Sequence, residues 1–543
     1  MSIPLPNCRP SVPDRCFVSA LAEARLVECL ASIRDRSLQT LFSNCWLNTL
    51  DTTIFDHFAD NGQADLARAQ PRTWVITGDI AAMWLRDSTN QVTPYLSLLA
   101  PPPGTNPANY TSDQKEWEAL YRLILGVIYA QASCINLHPF SNAFVPPTSN
   151  VSTADNFDRI HPVAPKPVLD RHGHGLRVWE SKWELDSLCA FFDLSAKLAQ
   201  SSSRTDFVGN EQWVEAMTLA LKICRLQQRS SQEEYELLQE AQTRAQGDES
   251  SLAGGLPWVK AEGKPTYDGA EGVYQFQRPT SSASETRAMS GLGEPAKRCG
   301  LVKSAFRPSD DATVFPFLIP SNCYLVASLG RLADVVRAHI LSDIVRPSRS
   351  SRSVREETQL GELEREMRAL ANEVSEAIQT QAMVKVMNAQ GQEEVVLAYE
   401  IDGYGGYLLA DDANLPSLLS LPFLGYCDNT LPLYSSTRSL VLSPRNKWHF
   451  SGSAGTGIGG MHIGPNFIWP MSIIMRALTS DDDHEILECL DMLKECTAGT
   501  GLMHESYQKD DPRRYTRSWF AWANGLFGEL ILDVWARNPH LLS

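Results

Sequence analysis

Nine stretches of this chain place apolar residues at helical spacing, and long loops rich in glycine, proline, aspartate and aromatic residues join them. Phe17 to Asn48 shows the pattern, with Leu21, Leu26, Leu30, Ile33, Leu38 and Leu41 separated by polar faces. Trp117 to Leu137, Leu185 to Gln200, Gln212 to Gln228, Ser321 to Leu341, Gly361 to Met387, Phe467 to Leu478, His484 to Ala498 and Trp519 to Ala536 behave alike. The joining loops are Pro101 to Asn106, His161 to Gly175, Gly254 to Pro308, Tyr399 to Asn414 and Pro444 to Pro465. Alternating strand patterns are few, the better ones being Val395 to Tyr399 and Trp448 to Ser451. No solenoid repeat is present. The expected fold is therefore all-α, an α/α toroid whose loops form a pocket at one end. The whole of 1–543 is expected to be one unit carrying two polar surface insertions, at about 230–251 and 346–382.

The segment Trp74 to Leu96, WVITGDIAAMWLRDSTNQVTPYL, sets Asp79, Arg86, Asp87, Asn90 and Gln91 in an apolar frame containing Trp84. Charges are costly to bury unless they are paired. Arg86 beside Asp87 is either an internal salt bridge or a donor fork and acceptor that hold vicinal sugar hydroxyls.

Two acidic loops point to general acid–base chemistry. Arg307-Pro308-Ser309-Asp310-Asp311 precedes the apolar run Ala312 to Ile319. Helix capping explains one acid, but not two adjacent acids beside an arginine; neighbouring carboxylates keep one protonated near neutrality. The second loop is Gly501-Leu502-Met503-His504-Glu505-Ser506-Tyr507, where Glu505 is placed to activate water. VWESKWELDS, 178–187, sets Trp179 and Trp183 on one helical face with Glu180, Glu184 and Asp186 around them, a pattern for either a solvated face or sugar stacking. In YEIDGYGGYLLADDAN, 399–414, Tyr404, Asp411 and Asp412 form an aromatic acidic loop without the GK[ST] end of a phosphate loop. GTGIGGMHIG, 455–464, carries His462 and lacks the strand–helix context of dinucleotide binding.

The net charge of −16 excludes a nucleic-acid or anionic-membrane partner and suits a neutral substrate. Twelve scattered cysteines with no CxxC pair read as mostly free, buried thiols, with room for a few disulfides, and give no zinc signature; there is no HExxH. The N-terminus lacks an apolar signal region and no run of eighteen apolar residues exists. A cytoplasmic location is expected, or secretion if a leader has been removed. The sequons at Asn109 and Asn150 do not decide between these.

TGDIAAMWLRDS, VWESKWELDS, FRPSDDA, YEIDGYGGYLLADDAN with LPSLLSLPFLGY, and GLMHESY occur in the order found in glycoside hydrolase family 125, which the chain resembles over about residues 30 to 535. The resemblance implies an (α/α)6 barrel and a metal-independent, cofactor-free exo-α-1,6-mannosidase acting on an α-mannoside oligosaccharide with inversion. It places the general acid on Asp310 or Asp311 and the general base on Glu505. Asp79, Trp84, Arg86, Asp87, Trp183, Glu184, Asp186, Arg307, Tyr404, Asp411, Asp412, His462 and His504 are then the expected sugar contacts, with no metal ligands among them. One departure is Met461, where the family motif has proline. Another glycosidase of the same fold, glucosidase- or trehalase-like, and a non-catalytic carbohydrate-binding homologue are the competing readings. The oligomeric state is not encoded in these motifs.

Overall fold

Apolar stripes and capping side chains divide the chain into thirteen α-helices among the residues described by the structure, a computed structural model covering 4–58, 70–101, 111–147, 149, 168–169, 175–246, 273–345 and 354–543. They are α1 (Ala20–Leu30), α2 (Arg36–Trp46), α3 (Leu85–Val92), α4 (Ser112–Leu137), α5 (Leu185–Ser202), α6 (Glu211–Leu226), α7 (Ser231–Gln246), α8 (Ile319–Val345), α9 (Val354–Gln381), α10 (Pro432–Val441), α11 (Pro470–Leu478), α12 (Asp483–Glu495) and α13 (Ala521–Arg537). Asp35 accepts the backbone N–H groups of Ser37 and Leu38 to start α2, Asn210 does the same for α6, and Thr111 with Gln114 forms a reciprocal capping box on α4. The sequons at Asn109 and Asn150 lie outside the described residues, as do 161–167 and 170–174 of the second loop, 254–272 of the third, and 247–251 and 346–353 of the expected insertions.

The helices alternate along the chain between two layers. In the inner layer α13 packs on α3, α3 on α5, α5 on α8, and α11 on α13. Residues 415–424, a run of turns, lie between α8 and α10: Arg331 donates to the Leu424 carbonyl at 2.8 Å and Tyr434 to that of Leu419 at 2.8 Å. Asp411 starts this run by accepting the N–H groups of Leu418 and Leu419. The outer layer includes α2 against α13, α4 against α5 and α6, α6 and α8 against α9, and α12 against α11. Helix α4 is long and apolar enough to cross a bilayer, but 83% of its most apolar window is buried in the protein, so it is a core helix here.

Several expectations change. The chain is mostly helical rather than all-α, because sixteen short strands pair among the described residues. Four of these strands, Met83–Trp84, Gly175–Glu180, Phe317–Leu318 and Phe467–Ile468, run into the N-terminal ends of α3, α5, α8 and α11. Three of them have only two residues, too short to show an alternating pattern; Gly175–Glu180 is longer, and its burial alternates from Leu176 to Glu180. Phe17 to Asn48 is two helices, broken at the Asp35 cap. The stretch Gly361 to Met387 stays helical only to Gln381; Met383–Met387 then pairs with Glu393–Leu397 as a hairpin. The anticipated strand near Trp448 is present as His449–Gly452. The described part of the second polar insertion is α9, whose Leu360, Leu363, Met367, Leu370, Val374 and Ile378 join the main core; it is not a solvated addition. All twelve cysteines are free thiols.

Candidate active site

The N-terminal ends of the inner helices converge on one cleft of about 400 Å3, open mouth included. Arg86 and Asp87 stand in the first turn of α3, Trp469 and Phe520 immediately precede α11 and α13, Trp522 opens α13, and Asn414 leads into the turns at 415–424. Pro308, Ser309 and Asp310 approach from the loop before α8, and Glu505 from the loop before Ser506–Gln508. Helix N-termini carry partial positive charge and unpaired N–H groups, which favours carboxylates here.

Arg86 is the hub. Its Nη1 lies 2.6 Å from Glu184 Oε2 and 3.0 Å from Asp186 Oδ2, its Nε 3.6 Å from Asp87 Oδ2, and its Nη2 3.9 Å from Asp310 Oδ1. The guanidinium stacks 5.6 Å from the Trp522 ring centroid. One cation thus faces four carboxylates in a dry site. Burial pushes Asp87 up to about 6 despite Arg86, and pushes Glu184 well above the usual carboxylate range.

The paired aspartates have different surroundings. Asp310 lines the cleft with 28% of its side chain exposed and takes a left-handed backbone, φ +68°. Burial acts to raise its pKa, but Lys182, Arg86 and His462 outweigh burial and hold it below the ordinary value. Glu184, with no exposed side chain, is the partner that keeps the proton. Asp311 is wholly buried behind Asp310, receives Ser309 Oγ at 3.3 Å and faces His462 Nδ1 at 3.8 Å. Burial opposes charge on His462, but Asp311, Asp310 and Glu505 overcome it and raise the imidazole to about 9. His462 is therefore cationic at neutral pH.

On the opposite loop, Glu505 lines the cleft at 8% exposure, with Arg517 Nη1 3.5 Å from Oε1. Arg517 also donates from Nε to Asp79 at 3.0 Å and stacks 4.6 Å from the Phe520 ring. Gly78, at φ +115°, lies against Trp519; a Cβ there would meet that ring at 2.6 Å. This close approach brings Asp79 to Arg517 and ties the two loops together. Several lining groups have no hydrogen-bond partner among the described residues: the indole N–H groups of Trp84, Trp469 and Trp522, Arg86 Nε, Asp87 Oδ2 and Asp310 Oδ1. Buried polar groups are ordinarily satisfied, so this concentration of unpaired donors and acceptors fits a ligand rich in hydroxyls.

The sequence profile of the metal-independent alpha-mannosidase family GH125 matches residues 35–532. The chain belongs to this family. A curated relative, the meiotically up-regulated gene 157 protein of Schizosaccharomyces pombe, is 38% identical over 99% of this chain and 90% of its own length. A Streptococcus pneumoniae metal-independent alpha mannosidase, solved in a non-productive substrate complex with alpha-1,6-mannobiose, superposes with a TM-score of 0.71. It is 29% identical, and the match covers 96% of this chain and all of that one.

The GH125 cleft gathers Asp310, Glu505, Trp84, Arg86, Asp87 and His462, with Glu184 and Asp186 directly behind Arg86 and Asp79 at the rim through Arg517. Other candidates do not line it. Trp183 is a core residue whose indole donates to the Lys303 carbonyl at 2.8 Å. Arg307 is fully buried in an ion pair with Glu400 at 2.6 Å. Tyr404 is 64% exposed on the surface, and Asp411 caps the turns at 415–424. Asp412 acts from behind, receiving Ser309 Oγ at 2.7 Å and Asn414 Nδ2 at 3.1 Å. His504 is buried against the Thr497 and Arg517 carbonyls and stacked on Tyr515, so it fixes the Glu505 loop and does not enter the cleft. Thr77, Ile80, Ser309, Asn414, Trp469, Arg517, Phe520 and Trp522 were missed. The aromatic cluster around Trp519 was visible in sequence, but as helix core. Nothing in their spacing announces a shared cleft.

Proposed function

We propose that this GH125 protein is an exo-acting, inverting α-mannosidase on an (α/α)6 barrel, removing a terminal α-1,6-linked mannose with Asp310 as general acid and Glu505 as general base. The observation that carries the reading is that Asp310 and Glu505, from loops far apart in sequence, line the same cleft, while Asp311 is sealed behind. The alternation of inner and outer helices supports the barrel, with 415–424 taking an inner position. A pocket closed by helix N-termini suits a chain end rather than the middle of a glycan. The α-1,6 linkage is favoured by the mannobiose held by the Streptococcus pneumoniae relative.

In this mechanism one proton is shared by Asp310 and Glu184. It rests on the drier Glu184 while the cleft is open; a bound sugar excludes water from Asp310 and draws the proton to it, ready for the glycosidic oxygen. Glu505 holds a water on the other face of the ring, oriented with help from Arg517. Inversion needs a carboxyl separation of roughly 6.5–9.5 Å so that this water fits. Arg86, Asp87 and the free indoles take the sugar hydroxyls. The test is hydrolysis of α-1,6-mannobiose by the wild-type protein and by Asp310→Asn and Glu505→Gln. Each substitution should lower kcat by about 10^2- to 10^4-fold with the fold intact. Full turnover by both variants sinks the assignment.

A further inference from the structure

A second, narrower cavity lies behind the wall that carries Glu184 and Asp186. It is bounded by Trp183, Glu234 of α7, Tyr274, Arg287 and Lys303. Its volume is about 270 Å3 with the mouth included, against about 400 Å3 for the first cleft, and its narrow centre admits one occupant the size of a water or a halide ion. Arg287 is more than nine-tenths buried and makes no carboxylate ion pair among the described residues; its Nη1 reaches only the Gly291 carbonyl at 3.4 Å and its Nε has no hydrogen-bond partner. Lys303 is equally buried, with Glu234 Oε1 at 2.6 Å as its counter-charge. Glu294 stands exposed at the rim and makes no ion pair here. The inward-facing groups thus sum to two cations and one carboxylate. A buried guanidinium without a counter-ion costs several kcal/mol, and burial already pulls the pKa of both Arg287 and Lys303 down.

We infer that this cavity is a chloride site, in which one halide ion between Arg287 and Lys303 balances the unpaired positive charge. The ion acts as a structural clasp joining α7, the 287–294 turn and the extended segment at Lys303. Because the Lys303 carbonyl receives the Trp183 indole, the clasp also steadies the segment leading to Glu184 and Asp186.

Crystals of the full chain grown in sodium bromide and measured at the bromine absorption edge test this directly. An anomalous peak between Arg287 and Lys303 is expected. Water density there with no anomalous signal, or bromide found only elsewhere, overturns the proposal. In solution, the melting midpoint should rise by roughly 1–2 °C per tenfold increase in chloride above the Kd, at ionic strength held constant with gluconate. That dependence should vanish in Arg287→Gln. Equal melting in the two salts, or an unchanged slope in the variant, refutes the site. The bromide measurement uses wild-type protein, so a variant that fails to fold does not remove the test.

Discussion

Replacing Arg86 by glutamine withdraws the one cation that Glu184 and Asp186 meet at 2.6 and 3.0 Å, in a site where all three side chains are at most 3% exposed. Removing one partner of a buried pair costs about 3–5 kcal/mol, because the carboxylates stay buried without their counter-charge. For a chain of this size that corresponds to a fall in melting midpoint of roughly 5 °C. The loss must depend on pH. Stranded carboxylates have folded pKa values above their unfolded values near 4, so the folded state retains protons that the unfolded chain has released. Their penalty is small near pH 4 and grows as pH rises through the raised pKa values; Asp87 already stands at about 6 with Arg86 present. Thermal or urea melts of wild type and Arg86→Gln at pH 5 and pH 8 should show the larger deficit at pH 8. A deficit below ~1 kcal/mol at pH 8, or one equal at both values, refutes the hub. Arg86→Lys should recover part of the stability but little activity, since the ammonium lacks the planar fork.

His462, raised to about 9 by Asp311 and its acidic neighbours, stabilises the fold while charged. That contribution is fully present below pH 6.5 and is lost as pH rises through 9; from this shift it is worth ~3 kcal/mol. The stability gap between wild type and His462→Gln, measured by melting, should therefore be widest at pH 6 and close above pH 9. Asp311→Asn should narrow the same gap and lower kcat less than Asp310→Asn, as steady-state kinetics on α-1,6-mannobiose will show, because Asp311 is wholly buried and reaches the cleft through His462 and Ser309. Equal catalytic losses in the two aspartate variants contradict the distinction between them.

The helices and both acidic loops were legible in the sequence because each is a local pattern: a 3.6-residue period, a proline stop, adjacent acids. Burial of Arg86 was legible too, from its apolar frame. Of the two readings offered for it, the structure shows the internal salt bridge, made to Glu184 and Asp186 as well as Asp87, while the grip on sugar hydroxyls belongs to the proposed function. What sequence could not separate was capping from sugar contact. Asp411 and Asp310 are both acids beside another acid in loops, yet one holds backbone N–H groups and the other faces solvent. Trp183 and Trp522 are both tryptophans near charged residues, but only Trp522 leaves its indole unpaired in the cleft. For Trp183 and Asp310 the deciding neighbours, Lys303 and Arg86, lie more than a hundred positions away, and for Asp411 the local turn at Leu418 and Leu419 decides. The apolar period of α9 was legible from Gly361 onward, but not that this stripe joins the main core.

The central claim is single-displacement hydrolysis between Asp310 and Glu505. Proton NMR of the first sugar released from α-1,6-mannobiose, read before mutarotation, tests it most directly. Inversion releases β-mannose at the earliest time points; α-mannose appearing first rules it out.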